Sequence, residues 1–589
     1  MGYGKKYISR AVSRRFEKCD MIKNSIKIGN ILVEEKVITA EQLEIGLREQ
    51  KKTNDFVCAT LIKLGFASEE KIFNILSSQL NIPYLKLTGL DVEPLIIQKV
   101  PARFANHYKI IPLDFKNNIL TIAMADPLDI RTLDDIRLLL NVEVKAALAS
   151  ESEIQDAIRK YYGVGAETLE KIMDKKEAQD EVGSEKEGAE DIEGMVEDAS
   201  IVKFVNQILS EAIKERTTDI HFEPFHRELR VRFRIDGILY DINIPETIKY
   251  FHPAIVSRIK IMARLNIAER RLPQDGRIKV KIGEQEQDLR VSTLPTAFGE
   301  AVQIRVLSTG SFLELEKLGL FQCDLKIIEE VIKKPHGIIF VTGPTGSGKS
   351  TTLYASLSRL NSNEVKIITI EDPIEYQLRG VNQLQVNPLI DFTFATALRH
   401  ILRHDPDIIM VGEARDYETA ETAIRSALTG HLVFSTLHTN DAAGAITRLL
   451  DMGLEPFLVA SSLECIIAQR LVRSICPKCK VLIKSKDEIL ERIIKAGIDF
   501  DASKVELYEG KGCQQCRFTG YLGRTGIYEV LVINEAVREM IISKASNQQI
   551  KKKALSCGMR TLRQDGLRKV IDGATTFTEI MRVTQQEEL

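Results

Sequence analysis

The sequence predicts an α/β protein built on a mostly parallel sheet, and three groups of residues carry that prediction. Gly337–Thr342 is a continuous apolar run, Gly343-Pro344-Thr345-Gly346-Ser347-Gly348-Lys349-Ser350 is a glycine-rich turn, and Thr351–Leu357 is helix-compatible. Two further apolar runs end in acids: Lys366–Ile370 in Glu371-Asp372-Pro373-Ile374-Glu375, and Ile408–Val411 in Gly412-Glu413. A third run, Leu432–Thr436, is flanked by His431 and His438. Short apolar runs bounded by turn signals suit strands covered on both faces. Polar residues at their ends mark the carboxyl edge, where open α/β sheets bind ligands.

The glycine-rich turn matches G-x-x-x-x-G-K-[ST] between a strand and a helix, the context this phosphate-binding motif requires. Its glycines let backbone N–H groups face phosphates, and the helix N-terminus adds a positive dipole end. Gly343, Pro344, Thr345, Gly346, Ser347, Gly348, Lys349, Ser350 and Thr351 are the expected nucleotide-binding residues, with ATP as ligand. Lys349 is expected on the β/γ-phosphates and the Ser350 hydroxyl on Mg²⁺.

The 589 residues suggest three to five domains. A net charge of −2 counts against a generic nucleic-acid binder. No apolar run reaches the ~18–20 residues of a membrane span, and Met1–Lys6 lacks the apolar core of a secretory signal. The expectation is a cytoplasmic protein whose nine cysteines are thiols or metal ligands.

In chain order, residues 1–22 read as a loose basic arm. Residues 23–82 hold a helical repeat: Ile28, Leu32, Leu43, Leu47 and Gln50 recur 29 positions later as Val57, Leu61, Ile72, Leu76 and Gln79. Thr39 and Ser68 are candidate N-caps. The stretch resembles the MshEN domain of bacterial secretion and pilus ATPases, whose repeated Arg-Leu-Gly-x-x-Leu-x-x-x-Gly pattern implies a cyclic di-GMP site. The repeat departs from that pattern. Its copies read Lys27-Ile28-Gly29, with Lys36 at the second glycine, and Phe56-Val57-Cys58, with Gly65 kept. Both arginines are missing, so cyclic di-GMP is not expected as a ligand.

Residues 83–162 read as a small α/β unit, with a hairpin around Lys116-Asn117-Asn118 and helices at 129–140 and 151–161. Residues 163–198 are acidic, contain no aromatic residue and read as a flexible linker. Residues 199–310 read as an α+β domain. Ser200 is a candidate cap, Leu229–Ile235 an alternating strand, Asp236-Gly237 a hairpin turn, and Pro273–Arg277 another turn. Its alternating arginines form either a solvated sheet face or a cationic wall. Residues 311–465 hold the phosphate loop.

Residues 466–589 begin with Cys476-Pro477-Lys478-Cys479 and Cys513-Gln514-Gln515-Cys516, two C-x-x-C pairs suited to structural Zn²⁺. Redox pairs or a disulfide clip are the rival readings. Amphipathic helices are expected after the second pair.

These motifs together resemble the secretion ATPase superfamily, in the GspE/PilB branch of hexameric motors for type II secretion and type IV pilus assembly. The resemblance implies a RecA-like ATPase core preceded by a PAS-like α+β domain and a two-part N-terminal domain. It makes Glu375 the general base and places Glu413 near Mg²⁺ and water. Arg290 and Arg305 come from the preceding domain, Arg399 and Arg403 from a domain or subunit boundary. His431 and His438 sense nucleotide or couple subunits. The implied partners are five further copies of the chain and an inner-membrane platform protein, with peripheral membrane association through partners and no nucleic acid. A nucleotide-dependent regulatory module and a nucleic-acid translocase are the rival functions.

Overall fold

The computed structural model describes residues 28–53, 57–127, 129–166, 168, 199–282, 285–307, 314–484, 486–498, 500–501 and 505–584. The chain divides into two compact units, up to Val306 and from Leu307. The arm expected at 1–22, the residues Lys27 and Phe56, and most of the expected linker lie outside the described residues.

In the first unit the repeat folds as read. Helices cover 28–34, Ala40–Thr53, Val57–Lys63 and Glu69–Leu80. The repeated positions Ile28, Leu32, Leu43, Val57, Leu61, Ile72 and Leu76 are buried together. Thr39 and Gln42 cap reciprocally, Gln42 N donating to Thr39 Oγ1 at 3.2 Å and Thr39 N to Gln42 Oε1 at 2.9 Å. Ser68 sits at its N-cap position without a side-chain bond. Strands β1 (Ile110–Lys116), β2 (Ile119–Met124) and β3 (Glu143–Leu148) follow, in that order across a small sheet. The β1–β2 turn is Asn117-Asn118, with φ of 51° and 61°. Asparagine tolerates this left-handed region, and a two-residue turn of that kind suits the twist of a hairpin.

The linker begins later than 163. Val164 N donates to Asn243 O at 2.9 Å, and Thr168 Oγ1 to Gln207 Oε1 at 3.2 Å. Val164 packs on the core of the next layer, so its apolar side chain is anchored despite the polar sequence around it.

That next layer is a six-stranded sheet, β4 (Asp219–Pro224), β5 (Leu229–Ile235), β6 (Ile238–Asp241), β7 (Gln274–Ile282), β8 (Gln285–Thr296) and β9 (Gly299–Leu307), ordered β6-β5-β4-β9-β8-β7. Asp236-Gly237 makes the expected turn, with φ of 49° and 87°. Ser200 lies inside the helix Ala199–Lys214 rather than before it. Residues 274–277 are strand, not turn. A Cβ on Gly276 would come within 2.6 Å of Ala263 O, so this glycine permits close packing on the end of helix His252–Met262. One face of the sheet carries Ile220, Phe222, Val231, Phe233 and Ile304 into a core with both helices. Arg232, Arg234 and Arg305 project from the other face and are ion-paired there with Glu223 and Asp219. Arg232 binds Glu223 through two hydrogen bonds of 2.8 and 2.6 Å.

The second unit is one sheet with helices on both faces. Its strands are β10 (Gly337–Thr342), β11 (Ile367–Glu371), β12 (Val381–Gln385), β13 (Ile408–Val411), β14 (Leu432–Leu437), β15 (Leu463–Ile475) and β18 (Tyr521–Val532), ordered β12-β11-β13-β14-β10-β15-β18. All neighbours are parallel except β15 and β18. Alternate residues of β10 enter two cores, Ile338 and Phe340 one, Ile339 and Val341 the other. This is why the strand reads as a continuous apolar run. A domain boundary at 465/466 would cut through β15. The residues after the cysteine pairs begin with β18, an edge strand of the same sheet, and helices follow only from Glu535. A two-stranded ribbon, β16 (Lys480–Leu482) with β17 (Tyr508–Gly510), lies in the insert between β15 and β18.

The last helix, Phe577–Val583, is tied to β15 by Glu579. This carboxylate is 1% exposed and receives Arg473 Nη2 at 2.8 Å and Arg582 Nε at 2.9 Å. Burial pushes its pKa up, but the two guanidinium groups outweigh that and hold it at about 2. The folded value lies below the unfolded one, so its contribution is present above about pH 4.5 and is lost as pH falls toward 2. Glu579→Gln is expected to lower stability at pH 7 by roughly 3 kcal/mol and to flatten the acid limb of a urea-unfolding pH series.

Candidate functional site

The phosphate loop joins β10 to helix Lys349–Leu360 at the carboxyl edge of the sheet. Gly346 and Gly348 adopt φ of 79° and 89°, a region closed to most side chains. Lys349 Nζ donates to Gly343 O at 2.7 Å and Pro344 O at 3.2 Å. Burial pulls the Lys349 ammonium down to about 8; Glu413 opposes this and Arg470 adds to it. Ser350 is exposed at the start of the helix, while Ser347 is buried.

The acidic residues at the ends of β11 and β13 differ in burial and in partners. Glu371 is 4% exposed and accepts hydrogen bonds from Tyr354 Oη, Thr369 Oγ1 (2.6 Å) and Gln383 Nε2 (3.0 Å). It pins the end of β11. Glu375 is half-buried, and its N–H donates to Tyr354 Oη at 3.2 Å. Glu413 pairs with Arg415 and lies 3.4 Å from His438 Nε2. A Cβ on Gly412 would sit 3.3 Å from Glu371 Cα, so a carboxylate at 412 would crowd β11. His438 follows the carboxyl end of β14, beside Thr439, whose N–H donates to Thr342 Oγ1 at 2.9 Å.

The structure does not bring every expected residue to this edge. His431 precedes β14, its Nδ1 2.9 Å from Ser426 O. The six residues of β14 separate it from His438 by roughly 20 Å, at the opposite end of the strand. Arg399 pairs with Glu418, and Arg403 contacts Arg399 O (3.0 Å) and His400 Nδ1 (2.6 Å), both arginines on an exposed surface. Arg290 on β8 lies opposite Arg277, and Arg305 Nε binds Asp219 Oδ1 at 2.9 Å, both in the first unit.

Gln469 of β15 went unmarked in the sequence. It is 2% exposed, and its Nε2 donates to Ser347 O at 2.7 Å while its Oε1 accepts from Thr352 Oγ1 at 2.7 Å. The only sequence signal is an amide and a guanidinium interrupting the apolar run 465–472.

Cys476, Cys479, Cys513 and Cys516 form a separate cluster, their sulfurs all within 4.8 Å of one another. The pairs 476–513 and 479–516 are 3.8 Å apart and 513–516 is 3.7 Å. These separations exceed the length of a disulfide bond, about 2.05 Å, and all four cysteines are unbridged. Tetrahedral thiolates about 2.3 Å from a central ion stand about 3.8 Å apart, and this donor set fits that geometry.

A family model described as Type II/IV secretion system protein matches residues 195–582, and an MshEN domain model matches residues 80–168. The MshEN match therefore falls on the small α/β layer, not on the repeat at 23–82. Among curated relatives, the type IV pilus assembly ATPase PilB of Myxococcus xanthus is 45% identical over 94% of this chain and 98% of that protein. The type II secretion system protein E of Xanthomonas campestris is 42% identical over 95% of this chain and 98% of its own length. That of Pseudomonas aeruginosa is 51% identical over 68% of this chain and 78% of its own length. The chain belongs to the Type II/IV secretion system protein family, in the branch that holds the PilB and type II secretion E proteins.

Proposed function

We propose that this chain is a cytoplasmic, Mg²⁺-dependent ATPase that works as a homo-hexamer and powers type IV pilus assembly at the inner membrane. The observation that carries the reading is the phosphate loop at one sheet edge, with Glu375 and the Glu413–His438 pair on the neighbouring strand ends. Powering type II secretion is the second reading, favoured by the relative from Xanthomonas campestris that aligns over an equally long stretch.

Phosphoryl transfer to water needs positioning and charge stabilisation more than covalent chemistry. Backbone N–H groups of Gly346–Thr351 hold the phosphates, and Lys349 neutralises the β/γ oxygens. Ser350 would hold Mg²⁺, which supplies further charge neutralisation when bound. Glu375 orients and deprotonates the attacking water, while Glu413 and His438 hold a proton-accepting network beside it. Arg290 and Arg305, from the domain that precedes the phosphate loop in sequence, supply cations to the γ-phosphate. Arg399 and Arg403, exposed on a helix face, serve a neighbouring subunit's nucleotide. Nucleotide binding thereby drives closure, a population shift that a ring converts into motion. Residues 23–162 dock the motor on a membrane platform protein.

Light scattering with ATP present tests the assembly: a six-chain mass is expected, and a monomer under turnover conditions overturns it. The four cysteines are proposed to hold one Zn²⁺ as a structural clasp. Cyclic di-GMP is not a ligand in this reading, so calorimetric titration is expected to give no heat, and micromolar binding would contradict it.

A further inference from the structure

We infer that Gln469 and Arg470 of β15 are a pair of positioning residues that lock the phosphate loop to the loop carrying His438. Successive residues of a strand point to opposite faces, and these two use both faces of β15 at the point where it passes the nucleotide site.

Gln469 takes one face. Its amide bridges two parts of the phosphate-binding element, the Ser347 carbonyl in the loop and the Thr352 hydroxyl in the first turn of the helix. The loop is shaped around it. A Cβ on Gly348 would lie 2.7 Å from Gln469 Nε2, and one on Gly343 would lie 2.6 Å from Gln469 O. Two glycines of the motif thus owe their lack of a side chain partly to this strand, not to phosphate alone. Both hydrogen bonds are buried, so losing either leaves an unmatched polar group out of reach of water.

Arg470 takes the other face. Its Nη2 donates to Asn440 O at 2.8 Å and its Nη1 to its own neighbour Gln469 O at 3.0 Å. Asn440 is two residues from His438, which reaches Glu413. Burial lowers the Arg470 pKa, and Glu529 and Asp441 counter this. The chain of contacts runs from loop to Gln469, to Arg470, to Asn440, and so to His438 and Glu413. A shift of the loop on nucleotide binding is transmitted to the group beside the attacking water. Neither residue is a catalytic residue; both act through others.

The inference rests on the loop binding a nucleotide, and the experiment separates the two. Full-length wild type, Lys349→Ala, Gln469→Glu, Thr352→Val and Arg470→Met are titrated with a fluorescent methylanthraniloyl-ATP, assayed for ATP turnover, and melted without nucleotide. Glutamate at 469 still accepts from Thr352 but cannot donate to Ser347 O. Gln469→Glu is expected to weaken analogue binding at least tenfold. Thr352→Val, which keeps shape, is expected to weaken it about threefold with little change in melting temperature. Arg470→Met is expected to lower kcat about tenfold with binding within threefold, a KM-against-kcat split that a merely structural residue would not give. If Gln469→Glu fails to fold, Thr352→Val and Arg470→Met decide the matter. Folded variants that bind and turn over within twofold of wild type overturn the inference. Failure of wild type itself to bind the analogue overturns the nucleotide-site reading instead.

Discussion

Replacing Glu375 by glutamine is expected to lower kcat for ATP hydrolysis by about 10²–10⁴, with nucleotide affinity nearly unchanged. The neighbouring carboxylates make this a selective expectation. Glu371 is buried and spends its oxygens on Tyr354, Thr369 and Gln383, so it shapes the end of β11 and is not available to water. Glu413 is 9% exposed and already faces Arg415 and His438. Glu375 is half-buried on the loop beyond β11, and its backbone N–H donates to Tyr354 Oη. Glu413→Gln is expected to reduce turnover less and to raise the Mg²⁺ concentration needed for half-maximal rate. Steady-state rates at saturating ATP, with binding measured separately, check both. A Glu375→Gln enzyme within fivefold of wild type would move the base elsewhere, with Glu413 first in line.

The second large effect is on the cysteine cluster. Burial pushes the Cys516 thiol up, but hydrogen bonds from the Cys513 and Gly520 backbone and the neighbouring thiols bring it down to about 7. Cys513 N donates to Cys516 Sγ at 3.1 Å, the kind of support that holds a thiolate in place. The cluster closes the insert between β15 and β18, the two longest strands of the ATPase sheet. Metal affinity of such a site is folding free energy. A Cys476→Ser, Cys516→Ser variant is expected to lose bound zinc, to lower the melting temperature by roughly 10 °C, and to expose the insert to proteolysis. Turnover is expected to fall several-fold, because β15 also carries Gln469. Metal analysis of the purified wild type is expected to give one zinc per chain. A chain free of metal that melts like the double variant would refute the clasp.

Much of the site was legible because its information is local. A strand, a glycine loop and a helix follow one another without interruption, so the motif and its context can be read in order. The tetrathiolate is likewise two short local signals. What stayed hidden depends on pairing over distance. β15 and β18 meet only after the insert has been looped out, and the two glycines of β18, Gly523 and Gly526, blur its strand pattern. Gln469 belongs to no motif, and its meaning comes from Ser347 and Thr352, more than a hundred residues earlier. Asp275-Gly276 misled because a glycine chosen for contact with Ala263 has the same spelling as a turn. His431 could have been separated from His438 by counting, since an extended strand of six residues lies between them. The face of the arginines was undecided in sequence, and their carboxylate partners Asp219 and Glu223 explain why a cationic row is stable on a sheet.

The proposed function holds that hydrolysis requires Arg290 as well as Lys349 of the phosphate loop. Steady-state ATP hydrolysis by wild type, Lys349→Ala and Arg290→Ala, with the solution mass of each measured in parallel, tests it most directly. The account predicts slow turnover by a six-chain wild type, and loss of at least 99% of it in both variants without loss of assembly. Hydrolysis by a monomer, with Arg290→Ala as active as wild type, would contradict it.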